Sequence, residues 1–227
     1  LVIPTLYKSP NLQKMLPKYL EYDLDSDIHI IDNGQAWIHN YPWLLGHTKI
    51  HVYTPQKYNE WMINPAWNLG VSRCKLNSIV GILNDDIIFP TDVFEYIAYF
   101  SEDMGILGMH DTNYKCTEKQ YEMVDIPQHC MGWGCAIFIE KRDWIPIPDE
   151  LKLYYGDSWL FHNVPKKCRA LKGLPMSESN ISATNAHPDF IKEFTEQYKK
   201  EQVWFSQNAR KDLNWGGDSE LPSIQKL

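Results

Sequence analysis

The chain has 227 residues, 44% of them hydrophobic, and a formal net charge of -7. That length fits one large domain with a substantial core. The acidic balance disfavours a nucleic acid gripped mainly through its phosphates, and no apolar run approaches the ~18–20 residues of a membrane span. Leu1 to Thr5 lacks the basic, apolar and cleavage regions of a signal peptide. Five cysteines (Cys74, Cys116, Cys130, Cys135, Cys168) are odd in number and irregularly spaced. They imply neither a disulfide framework nor a zinc site, since His129-Cys130 followed by Cys135 has the wrong spacing, and they read as buried free thiols of a reducing cytoplasm.

In chain order, Leu1-Val2-Ile3-Pro4-Thr5 reads as a strand with Pro4 at its end, where a lost N–H matters least. Ser9-Pro10-Asn11 offers a helix start, and Leu12, Met15, Leu16, Tyr19 and Leu20 follow at helical spacing. Asp27 to Asp32 is a second strand closed by the turn signal Asp32-Asn33-Gly34. Lys49 to Tyr53 is a third strand, Pro65 to about Lys75 a helix, and Ile79 to Leu83 a fourth strand. This alternation implies parallel pairing with right-handed crossovers. Gly105 to Met109 and Cys135 to Glu140 read as further strands around an irregular polar segment, 110–128, and Asp157 to Phe161 as a short helix. Phe190, Phe194 and Tyr198 mark an amphipathic helix from Pro188 to about Asn214, followed by a loosely ordered tail. The fold class expected is α/β: a single domain over 1–215 with a mixed, mostly parallel sheet and a tail over 216–227.

The fourth strand carries the strongest functional signal. Val80-Gly81-Ile82-Leu83-Asn84-Asp85-Asp86-Ile87-Ile88-Phe89 is an apolar strand that runs into two adjacent carboxylates and turns apolar again. Burying a carboxylate costs several kcal/mol unless it is paired or bound to a cation. Hard oxygen ligands favour Mg2+ or Mn2+, which take phosphate oxygens as further ligands. A plain solvent-facing strand-end turn satisfies the same residues. In open α/β sheets ligands bind outside the carboxyl ends of the strands. Pro4-Thr5, Asp32-Asn33 and Asp85-Asp86 all fall at such ends.

Taken in order, Val2-Ile3-Pro4-Thr5, Ile30-Ile31-Asp32-Asn33-Gly34, Asn68-Leu69-Gly70-Val71-Ser72-Arg73, Leu83-Asn84-Asp85-Asp86, Gly132-Trp133-Gly134 and Tyr155-Gly156-Asp157-Ser158-Trp159-Leu160 resemble the GT-A glycosyltransferases. The group in question is the large inverting one that uses nucleotide-diphospho sugars. The resemblance covers roughly the first 160 residues. It implies that Pro4, Thr5, Tyr7, Asp32 and Asn33 cradle the nucleotide base, with Asp32 accepting from an imino N–H of uracil or thymine. It implies that Asn68 and Arg73 contact the ribose or diphosphate. The Asp-X-Asp motif of the family falls on Asn84-Asp85-Asp86, with Asn in place of the first Asp. Asp86 is then the direct Mn2+ or Mg2+ ligand, Asp85 touches the ribose or a metal-bound water, and His187 is a candidate second metal ligand. Trp133 and Gly134 become the floor under the donor sugar, although a turn with a packed Trp fits equally. Asp157 becomes the base that deprotonates an acceptor hydroxyl, and an N-cap Asp is the bland alternative.

On this reading the nucleotide-binding half spans about 1–100 and the acceptor half about 101–187. The donor is a nucleotide sugar, UDP-linked on the strength of Asp32. The acceptor is a glycan, a protein or another hydroxyl, with nucleic acid disfavoured, and the place of action is the bacterial or virus-infected cytosol. Three other readings share parts of the pattern. A sugar nucleotidyltransferase usually carries a Gly-rich basic loop after the first strand, which Thr5-Leu6-Tyr7-Lys8-Ser9 lacks. A two-metal phosphohydrolase needs His clusters that are missing. A weak or inactive domain that only binds a nucleotide sugar or glycan is kept in view by Asn84.

Overall fold

The computed structural model describes residues 1–7, 9–22, 27–34, 39, 41–42, 46–55, 62–130, 132–178 and 188–209. Its elements are β1 (Val2–Thr5), α1 (Pro10–Glu21), β2 (Ile28–Asp32), β3 (Ile50–Tyr53), α2 (Ile63–Arg73), β4 (Ile79–Leu83), β5 (Ile87–Ile88), α3 (Val93–Tyr99), β6 (Ile106–Met109), β7 (Glu122–Asp125), β8 (Ala136–Glu140), α4 (Gly156–Asn163), β9 (Cys168–Lys172), β10 (Ser177–Glu178) and α5 (Pro188–Asn208). Eight strands form one mixed sheet in the order β3-β2-β1-β4-β8-β6-β9-β7, and β10 pairs with β5 in a two-stranded ribbon.

The first four sheet strands run parallel, with Thr5 opposite Asp32 and Val2 opposite Ile82. Strands β1 and β2 are buried along their whole length, as expected where helices cover both faces. Alternation sorts their side chains. Ile3, Ile30 and Leu83 face the cluster under α1 and α3, while Val2, Ile31 and Ile82 face the cluster under α2, α4 and α5. Beyond β4 the polarity reverses: β8 runs antiparallel to both β4 and β6.

Local chemistry explains the element ends. Ser9 caps α1, its Oγ accepting from the Asn11 amide at 3.2 Å, with Pro10 at the first helical position. Helix α2 begins two residues before Pro65, so the proline sits in the first turn, where its missing N–H is unused. Gly70 lets α2 lie directly on β1, because a Cβ there would overlap the Val2 side chain.

Several expectations need correction. The segment 110–128 holds a 3-10 turn and the strand β7, and α3 and β9 are real elements that the sequence pattern did not mark. Strand β9 (Cys-Arg-Ala-Leu-Lys) acquires its identity from pairing between β6 and β7 rather than from its own alternation. The five cysteines are free, as expected, but half-buried. The end of the last helix beyond 209, and the tail, lie outside the described residues.

Alanine usually stabilises a helix by about 1 kcal/mol over glycine. At Gly70 the contact with Val2 reverses that sign: overpacking of about 1–3 kcal/mol outweighs it, so Gly70→Ala should lose about 1 kcal/mol net in denaturant unfolding. An unchanged or raised midpoint would show that α2 is free to lift off β1.

Candidate active site

The carboxyl ends of β1, β2 and β4 open on one edge of the sheet. Helix α2 runs antiparallel to these strands, so its N-terminus returns to the same edge, where Asn33 Nδ2 donates to the Met62 carbonyl at 3.3 Å. The Thr5 hydroxyl donates to Asp85 Oδ2 across the strand ends and accepts from the Tyr7 amide at 2.9 Å. Pro4 pairs with Ile31 inside β1 rather than at its end, Thr5 closes the buried run, and the next turn puts Tyr7 at φ 56, a left-handed conformation that costs a bulky residue strain. Burial, together with the Asp32, Tyr41 and Asp85 groups around it, pushes the Tyr7 hydroxyl well up, so it stays neutral.

Asp32 is 2% exposed, and the Thr54 hydroxyl donates to it at 3.5 Å. Asn84 donates its amide to the Cys135 carbonyl at 2.9 Å. Burial pushes the Asp85 carboxyl up to about 6, against the hydrogen bonds from Thr5 and from its own and the Leu6 amide. The carbonyl of Asp86 accepts from buried Asn11 Nδ2 at 2.6 Å, which ties the acidic turn to α1. Among the described residues no group of three His, Cys, Asp or Glu is assembled for a metal. A Mg2+-type ion on a diphosphate asks for less: one or two carboxylates, with phosphate oxygens and waters completing the shell. Asp85 and Asp86 fit that demand, because burial already disfavours the Asp85 charge and hydrogen bonds alone do not restore it.

Asp157 enters from the second half of the chain. Tyr155 precedes it at φ 60 and Gly156 opens α4, so Asp157 lies in the first turn and is not the N-cap. Gly156 is needed for closeness, since a Cβ there would collide with the Asn64 amide. Gly134 plays the same part beneath the carboxylate: a Cβ would stand 2.5 Å from Asp157 Oδ2. Because Cys135, next to Gly134, takes the Asn84 amide, Asp157 sits beside the Asn84-Asp85-Asp86 turn.

The loop that presents Asp157 is held twice. Asn64 Nδ2 donates to the carbonyls of Leu151 (3.1 Å) and Tyr154 (2.9 Å). Glu201, 1% exposed on α5, accepts the successive amides of Lys152 (3.0 Å), Leu153 (3.2 Å) and Tyr154 (2.7 Å). Tyr155 stacks on Phe205 with ring centroids 5.0 Å apart.

His129 completes the cluster. Its Nε2 donates to Asp157 Oδ2 at 3.0 Å, while Asp157 Oδ1 accepts from the Ser158 amide at 2.8 Å. The His129 and Asp157 side chains are 21% and 28% exposed. Burial alone would raise Asp157, but the imidazole beside it holds its carboxyl below the usual carboxylate range. Burial would likewise lower His129, and Asp157 outweighs it and raises the imidazole.

Three expected site residues lie elsewhere. Trp133 is fully buried, its Nε1 donating to the Arg169 carbonyl at 2.8 Å and its indole filling the space left by Gly108. It cannot lie under a sugar ring. Arg73 ends α2 at the opposite edge of the sheet, with its guanidinium 5.3 Å from the Tyr53 ring centre. Its backbone stands at the far end of an 11-residue helix, about 16 Å long, from the N-terminus that reaches Asn33. Asn68 spends its amide on the Ile147 backbone, donating at 2.7 Å and accepting at 2.9 Å. His187 lies outside the described residues. Sequence reading passed over Asn11, Asn64, His129 and Glu201. Of these, Asn11 reads from sequence only as part of a helix start, and His129 only as one of three residues, with Cys130 and Cys135, whose spacing is wrong for zinc.

A parallel β3-β2-β1-β4 half, a reversed β8 and carboxylates at the switch between them define the architecture. The fold is that of the GT-A glycosyltransferases. No protein-family model and no curated protein sequence matches the chain. Among solved structures, S. aureus TarS residues 1–349 is similar with a TM-score of 0.60 and 14% identity, over 93% of this chain and 65% of that one. The same fragment in complex with UDP-GlcNAc gives 0.59 and 13%, over 93% and 66%. GalNAc-T7 with UDP, GalNAc and Mn2+ gives 0.57 and 10%, over 91% and 50%. The likeness is one of fold, and the chain spans between half and two thirds of those GT-A structures.

Removing the Glu201 carboxylate leaves three backbone amides unanswered, that of Leu153 buried and those of Lys152 and Tyr154 partly so. Glu201→Ala should therefore cost about 3 kcal/mol or more in urea unfolding. A loss under about 1 kcal/mol would mean that water replaces the carboxylate and the clamp is incidental.

Proposed function

We propose that this chain transfers a sugar from a nucleotide-diphospho sugar, UDP-linked, to an acceptor hydroxyl, with inversion at the anomeric carbon. One observation carries the reading: the acidic turn Asn84-Asp85-Asp86 and Asp157, far apart in sequence, meet across Gly134-Cys135 on the carboxyl edge of the sheet. A donor diphosphate against the turn and an acceptor beside Asp157 would meet there with a carboxylate in reach of the reacting hydroxyl. Two of the similar structures hold UDP-GlcNAc, and UDP with GalNAc and Mn2+, which supports a UDP donor here.

Asp86, with Asp85 beside it, would hold Mn2+ or Mg2+. Such an ion neutralises the charge that grows on a diphosphate leaving group. Pro4, Thr5, Tyr7, Asp32 and Asn33 line the base side. Asp32 is buried, so a uracil edge must reach it past the Tyr7 turn. The acceptor hydroxyl is activated at the Asp157 end of the crevice, on the side away from the leaving group. Glycans, proteins and other hydroxyl compounds remain open as acceptors. Five free thiols fit a reducing compartment, and no described helix is long and apolar enough to cross a membrane. A second reading, a domain that binds a nucleotide sugar without turning it over, rests on Asn84 in place of a carboxylate.

UDP, GDP, dTDP and CDP, each with and without Mn2+, separate these readings by calorimetry and thermal shift. UDP with Mn2+ is expected to bind, and at 100 times its dissociation constant to add about 2.7 kcal/mol of stability. Asp86→Ala, or EDTA, should abolish that gain. Release of UDP from UDP-GlcNAc identifies the enzyme, and binding without release identifies the binding module. If no diphosphate binds under any condition, the transferase reading fails.

A further inference from the structure

A carboxylate acting alone as a general base takes the proton on an oxygen that faces the hydroxyl, and a hydrogen bond already made at that oxygen competes for it. Asp157 has both oxygens in use, Oδ1 with the Ser158 amide and Oδ2 with His129 Nε2. Gly134 packs so tightly against Oδ2 that a single added carbon would not fit. The carboxylate is thus fixed in place by its surroundings, as a group that orients a neighbour is fixed.

The neighbour is an imidazole with a second nitrogen. A carboxylate only accepts, so the nitrogen that meets it carries the hydrogen, and in the neutral ring the lone pair then sits on Nδ1. The ring is itself held edge-on by Trp133 and Phe161, at centroid distances of 5.4 and 5.6 Å. This accounts for a fully buried Trp133 in a segment expected to meet substrate: it supports His129. A carboxylate orienting an imidazole that takes a proton is a recurrent catalytic arrangement.

We propose that the general base of this site is the His129–Asp157 pair, with the acceptor proton finishing on His129 Nδ1 and Asp157 holding the ring and its charge. The inference rests on the transferase reading above. The acceptor oxygen bonds to the anomeric carbon as the bond from that carbon to the β-phosphate oxygen breaks. That electron pair leaves with the nucleoside diphosphate, and the hydroxyl proton passes to Nδ1, leaving an imidazolium against the Asp157 carboxylate.

The surrounding groups leave the pair to titrate by itself. Tyr155 and Cys130 face Asp157, and burial pushes both up, so they stay neutral. Asp111 faces Cys130 from the other side. His162, one turn along α4, faces His129 and is pushed down to about 3 by burial, so it too is neutral. Asp157 is ionised throughout the working range, and His129 is raised by it. The neutral imidazole is the active form, so turnover should fall as pH drops through the His129 titration, in the histidine range and not the carboxylate range.

Nitrogen-15 NMR of the histidines in the whole chain tests the pairing without any turnover. At alkaline pH His129 should carry its hydrogen on Nε2 with Nδ1 bare, and Asp157→Asn should lower its titration midpoint by about a unit or more. A neutral ring protonated on Nδ1 overturns the proposal. The kinetic arm uses UDP-GlcNAc with Mn2+ and follows UDP release. His129→Gln and His129→Ala should each lower kcat about 100-fold or more and lose the fall near neutrality, with UDP affinity by calorimetry unchanged. Turnover within about threefold of wild type in both variants, with the acid fall in the carboxylate range, overturns it in favour of Asp157 alone. A wild-type chain that binds no nucleoside diphosphate fails the transferase reading and takes the proposal with it; binding and turnover that survive without His129 fail the proposal only.

Discussion

Four carboxylates, Asp32, Asp85, Asp86 and Asp157, stand on one edge of a sheet whose strands are otherwise apolar, and much of the nearby structure answers the cost of keeping them there. Asp32, Asp85 and Asp157 are met by donors drawn from different elements. Thr54 serves Asp32, Thr5 and local amides serve Asp85, and His129 with Ser158 serves Asp157. The answers are unequal. Asp157 gains an imidazole and is held ionised, while Asp85 has only hydroxyl and amide donors and is pushed toward neutrality. That difference separates the two ends of the crevice: the Asp157 charge is already answered by a neighbouring group, and the Asp85 charge is not.

The Asp157 end is held from outside. The segment before Asp157 has its carbonyls tied by Asn64 and its amides by Glu201, so a loop with no regular structure is as constrained as a strand. Such constraint is what permits a tyrosine at φ 60 two residues before Asp157. The other non-glycine residue with positive φ among the described ones, Tyr7, lies on the base side of the same crevice. Strain is concentrated where a ligand would sit.

Much of this was legible in the residues. The parallel strands were readable because each is a short apolar run closed by turn chemistry, and Ile79–Leu83 matches the expected strand end to end. Ser9-Pro10 marked the start of α1, and Asp85-Asp86 marked the crevice. What escaped depends on partners remote in sequence. Strand β9 alternates too weakly to be seen without β6 and β7 beside it. Arg73 and Asn68 share a helix with residues near the site, but one lies at its far end and the other points its amide at Ile147. Trp133 has the composition of a sugar platform, and only the gap left by Gly108 turns it into the core. His129 meets Asp157 across 28 residues, a separation no local pattern encodes.

The Glu201 clamp also bears on the order in which the molecule is made. The carboxylate that secures Tyr154 comes 47 residues later in the chain. At about 5–20 residues per second of synthesis, the segment before Asp157 exists for roughly 2–10 s before the carboxylate that fixes it has been made. During that interval β1 to β4 and the acidic turn are already in the chain while the Asp157 loop is not yet held, so this edge of the sheet is completed last and from a later helix.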